Sequence, residues 1–345
     1  MKEFDRITVI IPEHNRPNHL NRLLDYYLSQ NVKIIVVDSS KVEFCYLNDY
    51  KDKILYKHYP EKPLAEKIYS ILPYIDTPYV VMCANDDFII PETIQHIINF
   101  LDKHDDYNSG QGLYGLFDPL EKSIPLRLIY PHILNEKIDE NNAADRVMHL
   151  MSNYFQYYYA VYRTSVFKET YSSVIQNQKT KIHNLCLLES YISSYPAIMG
   201  KHFIINELYA CREYNSLSVG NYTDNILVVK SEPKYKDEYC NYINLLSNKL
   251  LTVDNLSYQV AEKIIIDSID TYIKLHFKLK KPIRRLVKKF LSRTKILLTP
   301  SKIIYNLLVK TLVRHKNKPF PKSFPEYEKW EIIRNFILKY YTQCY

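Results

Sequence analysis

The run Tyr79-Val80-Val81-Met82-Cys83 is uninterrupted, apolar and strand-forming, and it leads straight into Asn85-Asp86-Asp87. Without polar alternation, such a run fits a strand buried on both faces, as in a parallel sheet. Pro91 and Glu92 then open a helical pattern, with Pro suited to the first helical position. This order restricts the fold severely, because open α/β sheets place their ligands at the carboxyl ends of their strands. Two adjacent carboxylates repel one another, and a divalent cation offsets that cost. The same pair also suits a solvated turn capping the next helix, since Asp is a good N-cap. The local pattern leaves both readings open.

The preceding sequence repeats the theme. Ile7-Thr8-Val9-Ile10-Ile11 reads as a first buried strand ended by Pro12, with a polar loop, Glu13-His14-Asn15-Arg16-Pro17, behind it. Leu20, Leu23, Leu24, Tyr27 and Leu28 follow at helical spacing. Lys33-Ile34-Ile35-Val36-Val37 is a second strand running into Asp38, residues 54–59 a third, and residues 64–72 a helix halted by Pro73. Alternating strands and helices predict right-handed crossovers and a doubly wound sheet. Asp38 and the Asp86-Asp87 pair then reach one edge.

Composition removes several classes. With only 5 glycines in 345 residues, Gly-rich phosphate cradles are nearly excluded. The one match to G-x-G-x-x-G, Gly110 to Gly115, follows a polar loop and opens no helix, so the dinucleotide reading fails. The 6 cysteines are scattered without a C-x-x-C pair, which argues against a cysteine zinc site and a disulfide scaffold. The first residues lack a signal-peptide layout, and no window approaches a membrane span. A cytoplasmic protein is expected, attached to a membrane only peripherally if at all.

Three stretches together carry a resemblance: Ile-Thr-Val-Ile-Ile-Pro-x-x-Asn-Arg-Pro, then Val-Val-Asp-Ser-Ser, then Thr-Pro-Tyr-Val-Val-x-Cys-Ala-x-Asp-Asp-Phe. In this order and spacing the chain resembles GT-A fold glycosyltransferases of family 2 type. More narrowly, it is similar to a bacterial branch whose metal motif reads Asp-Asp-Asp-Phe. The resemblance implies an α/β GT-A architecture, Rossmann-like with a mostly parallel sheet and flanking helices, plus a helical C-terminal region. Residues 1–115 would bind the nucleotide-sugar, residues 116–223 the acceptor, and residues 224–345 would form the helical basic region. Pro12, Asn15 and Arg16 match the loop beside base and ribose, and Asp38 the aspartate that contacts them. Lys67 and Asn85 join this donor-side set. Asp86 and Asp87 match the motif that holds Mg²⁺ or Mn²⁺ on the donor's diphosphate. Asn85 departs from the branch, which commonly has a first aspartate there; its carbonyl can coordinate but carries no charge.

Two further residues enter through the same resemblance. Glu189, in the helical stretch 183–192, matches the catalytic base, although Ser190 stands where a second acid is common. A lone helical Glu is otherwise a solvated-face residue. Arg212, near the end of a segment over 200–213 that reads as a strand pair, is a candidate diphosphate contact. Residues 151–164 read as an aromatic strand whose tyrosines could stack on a sugar or simply fill the core.

Charge divides the polypeptide. Residues 271–325 hold 16 Lys or Arg and no Asp or Glu, leaving 30 basic against 38 acidic residues elsewhere. Residues 283–293 and 303–310 read as basic amphipathic helices, suited to an anionic membrane surface, a bundle's outer face or an acidic protein. No nucleic-acid motif accompanies the charge, so no nucleic acid is expected as partner. The expected function is inverting, metal-assisted transfer of a sugar from a nucleotide-sugar donor to a hydroxyl of a bacterial surface glycan or lipid-linked precursor. Transfer of a nucleotide-activated polyol phosphate, or a non-catalytic basic scaffold, are the alternatives.

Overall fold

The computed structural model describes residues 4–176, 181–214, 223–278 and 318–345. The basic helices expected at 283–293 and 303–310 lie outside them. In chain order the elements begin with β1 (Ile7–Glu13), α1 (Pro17–Leu28), β2 (Lys33–Asp38), β3 (Leu55–His58) and α2 (Leu64–Ile71). There follow β4 (Tyr79–Met82), β5 (Phe88–Ile89), α3 (Pro91–Leu101), β6 (Tyr107–Phe117), β7 (Arg127–Ile129) and α4 (Ala143–Ser152). Next come β8 (Val161–Arg163), α5 (Thr164–Ile175), α6 (Leu185–Met199), β9 (Lys201–Glu213), α7 (Ile226–Ser231), α8 (Lys236–Asp254), α9 (Tyr258–Ile273) and α10 (Lys329–Lys339).

One nine-stranded sheet runs in the order β3-β2-β1-β4-β8-β6-β9-β5, with β7 on β6. The first four strands are mutually parallel, which fits their continuous β-branched runs, and both faces of β1 and β4 are buried. Leu20, Leu23, Leu24 and Tyr27 of α1 are wholly enclosed, as the helical spacing requires. Each such side chain contributes about 1.5–3 kcal/mol on burial. The second half of the sheet is mixed rather than parallel. β8 runs antiparallel to both β4 and β6, β5 runs antiparallel to β9, and β6 and β9 are parallel.

Three local expectations are corrected. β1 continues through Pro12 to Glu13, pairing with Val37 and Asp38. Its pairing with β4 ends at Ile10 and Met82, which leaves one edge open where a missing N–H costs nothing. The aromatic stretch 151–164 supplies only the three residues of β8; Met151 and Ser152 close α4, and the tyrosines before β8 lie in a loop. Their hydroxyls are held individually: Tyr157 lies 2.7 Å from Ser109 Oγ, and Tyr159 donates to Asp87. Finally, β9 is one 13-residue strand rather than a strand pair, its register against β6 interrupted by shifts.

Gly110 to Gly115 form the middle of β6, which confirms that they are no phosphate loop. They permit close approach instead. A Cβ on Gly112 would lie 2.8 Å from Glu207 O and 2.7 Å from Tyr209 Cβ.

The C-terminal elements wrap back. α8 and α9 pack beside α4 and α6, while residues 318–345 return along β7, β6 and β9 in the second half of the sheet and end against α1. There Phe320 N donates to Leu126 O at 3.0 Å, and Trp330 packs 5.3 Å from Phe117. Substituting Gly112→Ala is expected to cost about 1–3 kcal/mol, because its neighbours include backbone that cannot rotate away. Urea denaturation checks this; an unchanged midpoint would contradict the close approach of β6 and β9.

Candidate active site

β4 ends at Met82, and the turn that follows carries Asn85, Asp86 and Asp87 before β5 begins. Neither aspartate caps α3: Ile90 holds the N-cap position, so the solvated-cap reading falls away. Asp87 is buried. Its Oδ1 accepts from Glu213 N at 2.8 Å, and its Oδ2 accepts from Tyr159 Oη at 2.8 Å and Arg212 Nε at 3.1 Å. Burial still outweighs Arg212 and pushes this carboxyl up to about 6. The β4–β5 turn, the tyrosine loop and the end of β9 thus meet on one carboxylate.

Asp86 is paired through Oδ2 with Arg16, and its Oδ1 accepts nothing from the described residues. Beside it Asn85 Nδ2 donates to Glu13 Oε2, whose other oxygen accepts from Arg16 N at 2.6 Å. This gives a physical reason for Asn85. Glu13 is already buried and raised by that burial, so an aspartate at 85 would set two carboxylates against each other. Asn85 Oδ1 is likewise free among the described residues. Two unpartnered oxygens from Asn85 and Asp86, with the carboxylate of Asp87 behind them, suit a hard dication, which takes one or two carboxylates and fills the rest with phosphate and water.

These groups share a cleft of about 500 Å³ lined by Pro12, Arg16, Asn85, Asp86, Asp87, Arg212 and Glu189. Glu189 sits one turn into α6, whose N-cap Asn184 accepts from Leu187 N at 3.0 Å. The carboxyl is half-buried and makes no hydrogen bond with the described residues. Burial pushes it up to about 7, with Arg212 pulling the other way. Tyr158 and Tyr159 line the same cleft, so the tyrosine loop is both core and wall.

Three expected residues lie outside this cleft. Asp38 is buried, with Oδ1 accepting from Ser40 N at 2.7 Å and Oδ2 from Tyr56 Oη at 2.6 Å. Lys67 donates to Glu13 O at 2.6 Å and Ser39 Oγ at 3.0 Å, and burial lowers it to about 8. It lines a second, adjoining cavity of about 520 Å³ that shares Pro12, His14, Leu64 and Leu185 with the cleft. Asn15 lines neither; at φ 56° it turns the loop, a conformation Asn tolerates, and donates its N–H to Ser40 Oγ at 2.7 Å.

Sequence reasoning missed Glu13, Glu213 and Arg22. Arg22 is wholly buried, donating to Asp86 O at 3.1 Å and Glu213 Oε2 at 3.0 Å. Its place inside the apolar face of α1, between Leu20 and Leu23, was the available signal. For Glu189 the folded state favours the protonated form, since about 7 stands above the ordinary 4.5. Its stabilising contribution is therefore full at low pH and fades as pH rises through 7. Glu189→Gln keeps the shape without that dependence. Its melting temperature is expected to gain on the wild type between pH 5 and pH 7 and to level off above that; a constant gap would contradict the raised carboxyl.

Residues 8–170 match the family model described as Glycosyl transferase family 2. An uncharacterized glycosyltransferase of Rickettsia felis is 30% identical over 134 residues, 36% of this chain and 22% of that protein. A second, RP339 of Rickettsia prowazekii, is 32% identical over 104 residues, 29% of this chain and 33% of that protein. This chain thus spans a third or less of these curated relatives. Among solved structures, S. aureus TarS 1–349 in complex with UDP-GlcNAc is similar at a TM-score of 0.53 and 14% identity, covering 88% of this chain and 80% of that one. The same fragment in complex with UDP gives 0.52 over 80% and 74% at 15% identity. At such identity the likeness concerns the fold, a GT-A-like mixed sheet with flanking helices and a helical C-terminal region. Over residues 8–170, just under half of its length, the chain matches a glycosyl transferase family 2 domain.

Proposed function

We propose that the cleft transfers a sugar from a nucleotide-diphosphate donor to an acceptor hydroxyl, with inversion. One observation carries this: a half-buried carboxyl, pushed up to about 7, shares a cleft with two arginine-paired aspartates. In an inverting displacement the acceptor oxygen attacks the anomeric carbon, the bond to the donor's phosphate oxygen breaks, and the acceptor proton passes to a base. Glu189 takes the proton. A carboxylate near 7 keeps a useful basic fraction at neutral pH while retaining affinity for the proton. Arg16 and Arg212 already present guanidinium groups at the cleft and are the phosphate contacts.

Asp86 and Asp87, with Asn85 through its carbonyl, would hold Mg²⁺ or Mn²⁺. When bound, that ion neutralises charge developing on the leaving diphosphate. Lys67 and Asp38 keep the strand ends of β1 and β2 in register beside the base and ribose, with Pro12 and Asn15 shaping the loop between. Residues 1–115 act as the donor half and 116–223 as the acceptor half.

The acceptor is a surface glycan or lipid-linked precursor, met at the inner face of the cytoplasmic membrane. The acid-free basic run over 271–325 supports this, because Lys and Arg near an anionic surface attract at about 1 kcal/mol each. No described helix is long and apolar enough to cross a membrane.

Release of nucleoside diphosphate from a panel of UDP- and GDP-sugars tests the reading, with water as fallback acceptor. Turnover of one donor is expected to rise with pH through about 7. Glu189→Gln should lower kcat by about 10²–10⁴-fold with donor affinity retained. Wild-type kcat in that variant would remove Glu189 as base, and turnover of no nucleotide-sugar would remove the transferase reading.

A further inference from the structure

Away from the cleft, His96 on α3, Glu207 on β9 and Glu326 in the turn before α10 bring their donor atoms within 4.8 Å of one another. None of the three lines the cleft or the adjoining cavity. We propose that they form a second metal site, for a divalent ion of the zinc class, that clips the C-terminal segment 318–345 to the edge of the sheet.

The chemistry of the set is the first argument. One imidazole and two carboxylates are a common donor set for zinc and its neighbours, leaving a fourth position for water. Tetrahedral ligands at about 2.0–2.2 Å from an ion stand about 3.4 Å apart, so small side-chain rotations close the triad. His96 Nδ1 already lies 2.8 Å from Glu207 Oε2. His96 is 44% exposed, which gives an ion a path in from solvent.

Glu326 supplies the second argument. Its Oε2 is enclosed and has no hydrogen-bond partner among the described residues. An enclosed carboxylate oxygen without a donor is costly, and a cation is one of the few groups that satisfies it. The backbone there is unusual as well: Glu326 adopts φ 62°, a left-handed conformation that non-glycine residues rarely take. It is held from both sides. Leu208 N donates to Pro325 O at 3.1 Å, and Lys329 pairs with Glu92, one turn before His96 on α3. Lys329 thus spends its ion pair on Glu92 and acts on Glu326 only through space, so the enclosed Glu326 oxygen still lacks a hydrogen-bond donor among the described residues.

The consequence reaches the cleft through the segment itself. Beyond Glu326 it carries Trp330 onto Phe117 and ends with Tyr345 donating to Glu213, whose N–H holds Asp87.

The test uses the full chain, stripped with EDTA and returned to excess Mg²⁺ so that the cleft is saturated before Zn²⁺ is titrated. Calorimetry and thermal melting are followed for wild type, His96→Ala and Glu326→Ala. One equivalent of Zn²⁺ is expected to bind and raise the melting temperature of the wild type. Each substitution should weaken that binding at least tenfold. Metal-free Glu326→Ala should melt no lower than metal-free wild type, since it loses an unpartnered carboxylate, and it keeps the test decisive if His96→Ala folds poorly. Equal Zn²⁺ responses in all three proteins, or no Zn²⁺ bound by the wild type, would overturn the site.

Discussion

Everything at the cleft depends on how one buried carboxylate is satisfied. Asp87 is out of water, and an ionised group there must be paired and hydrogen-bonded or its pKa moves. It takes a backbone N–H from Glu213, a hydroxyl from Tyr159 and the Nε of Arg212. These donors belong to β9 and to the loop before β8, so the second half of the sheet is tied to the turn at the end of β4. Arg22 repeats the device from below, joining α1 to the carbonyl of Asp86 and to Glu213. Removing one partner from either arrangement leaves a buried charge uncompensated, at a typical cost of about 3–5 kcal/mol.

The same accounting explains the electrostatics of the cleft floor. Four carboxylates, from Glu13, Asp86, Asp87 and Glu213, crowd the ends of β1, β4 and β9. Arg16, Arg22 and Arg212 answer three of them, and the amide of Asn85 answers Glu13. An amide at position 85 therefore suits the buried carboxylate of Glu13 beside it. Glu189 stands outside this balance, without a hydrogen bond from the described residues, and that isolation lets burial raise it.

Much of this was legible in the sequence because it is local. A continuous apolar run ending in acids places Asp86 and Asp87 at a strand end without any tertiary knowledge, and periodicity places Glu189 on a helix. The missed features are long-range. Glu13 meets Asn85 across 72 residues, and Arg22 meets Glu213 across 191. No window reading pairs such residues. The tyrosines at 157–159 misled for a different reason: aromatic residues favour strands, but here specific hydroxyl partners hold them in a loop. Likewise residues 200–213 read as a strand pair, whereas the structure carries them as one strand whose register against β6 shifts, a feature of pairing that no local window contains.

The most direct test of the account is calorimetric titration of UDP, GDP and CMP into the wild type and Asp87→Asn, each with and without Mn²⁺. The account predicts that one nucleoside diphosphate binds the wild type in a Mn²⁺-dependent way and that Asp87→Asn loses that dependence. Metal-independent binding of CMP alone, or identical binding by the variant, would contradict it.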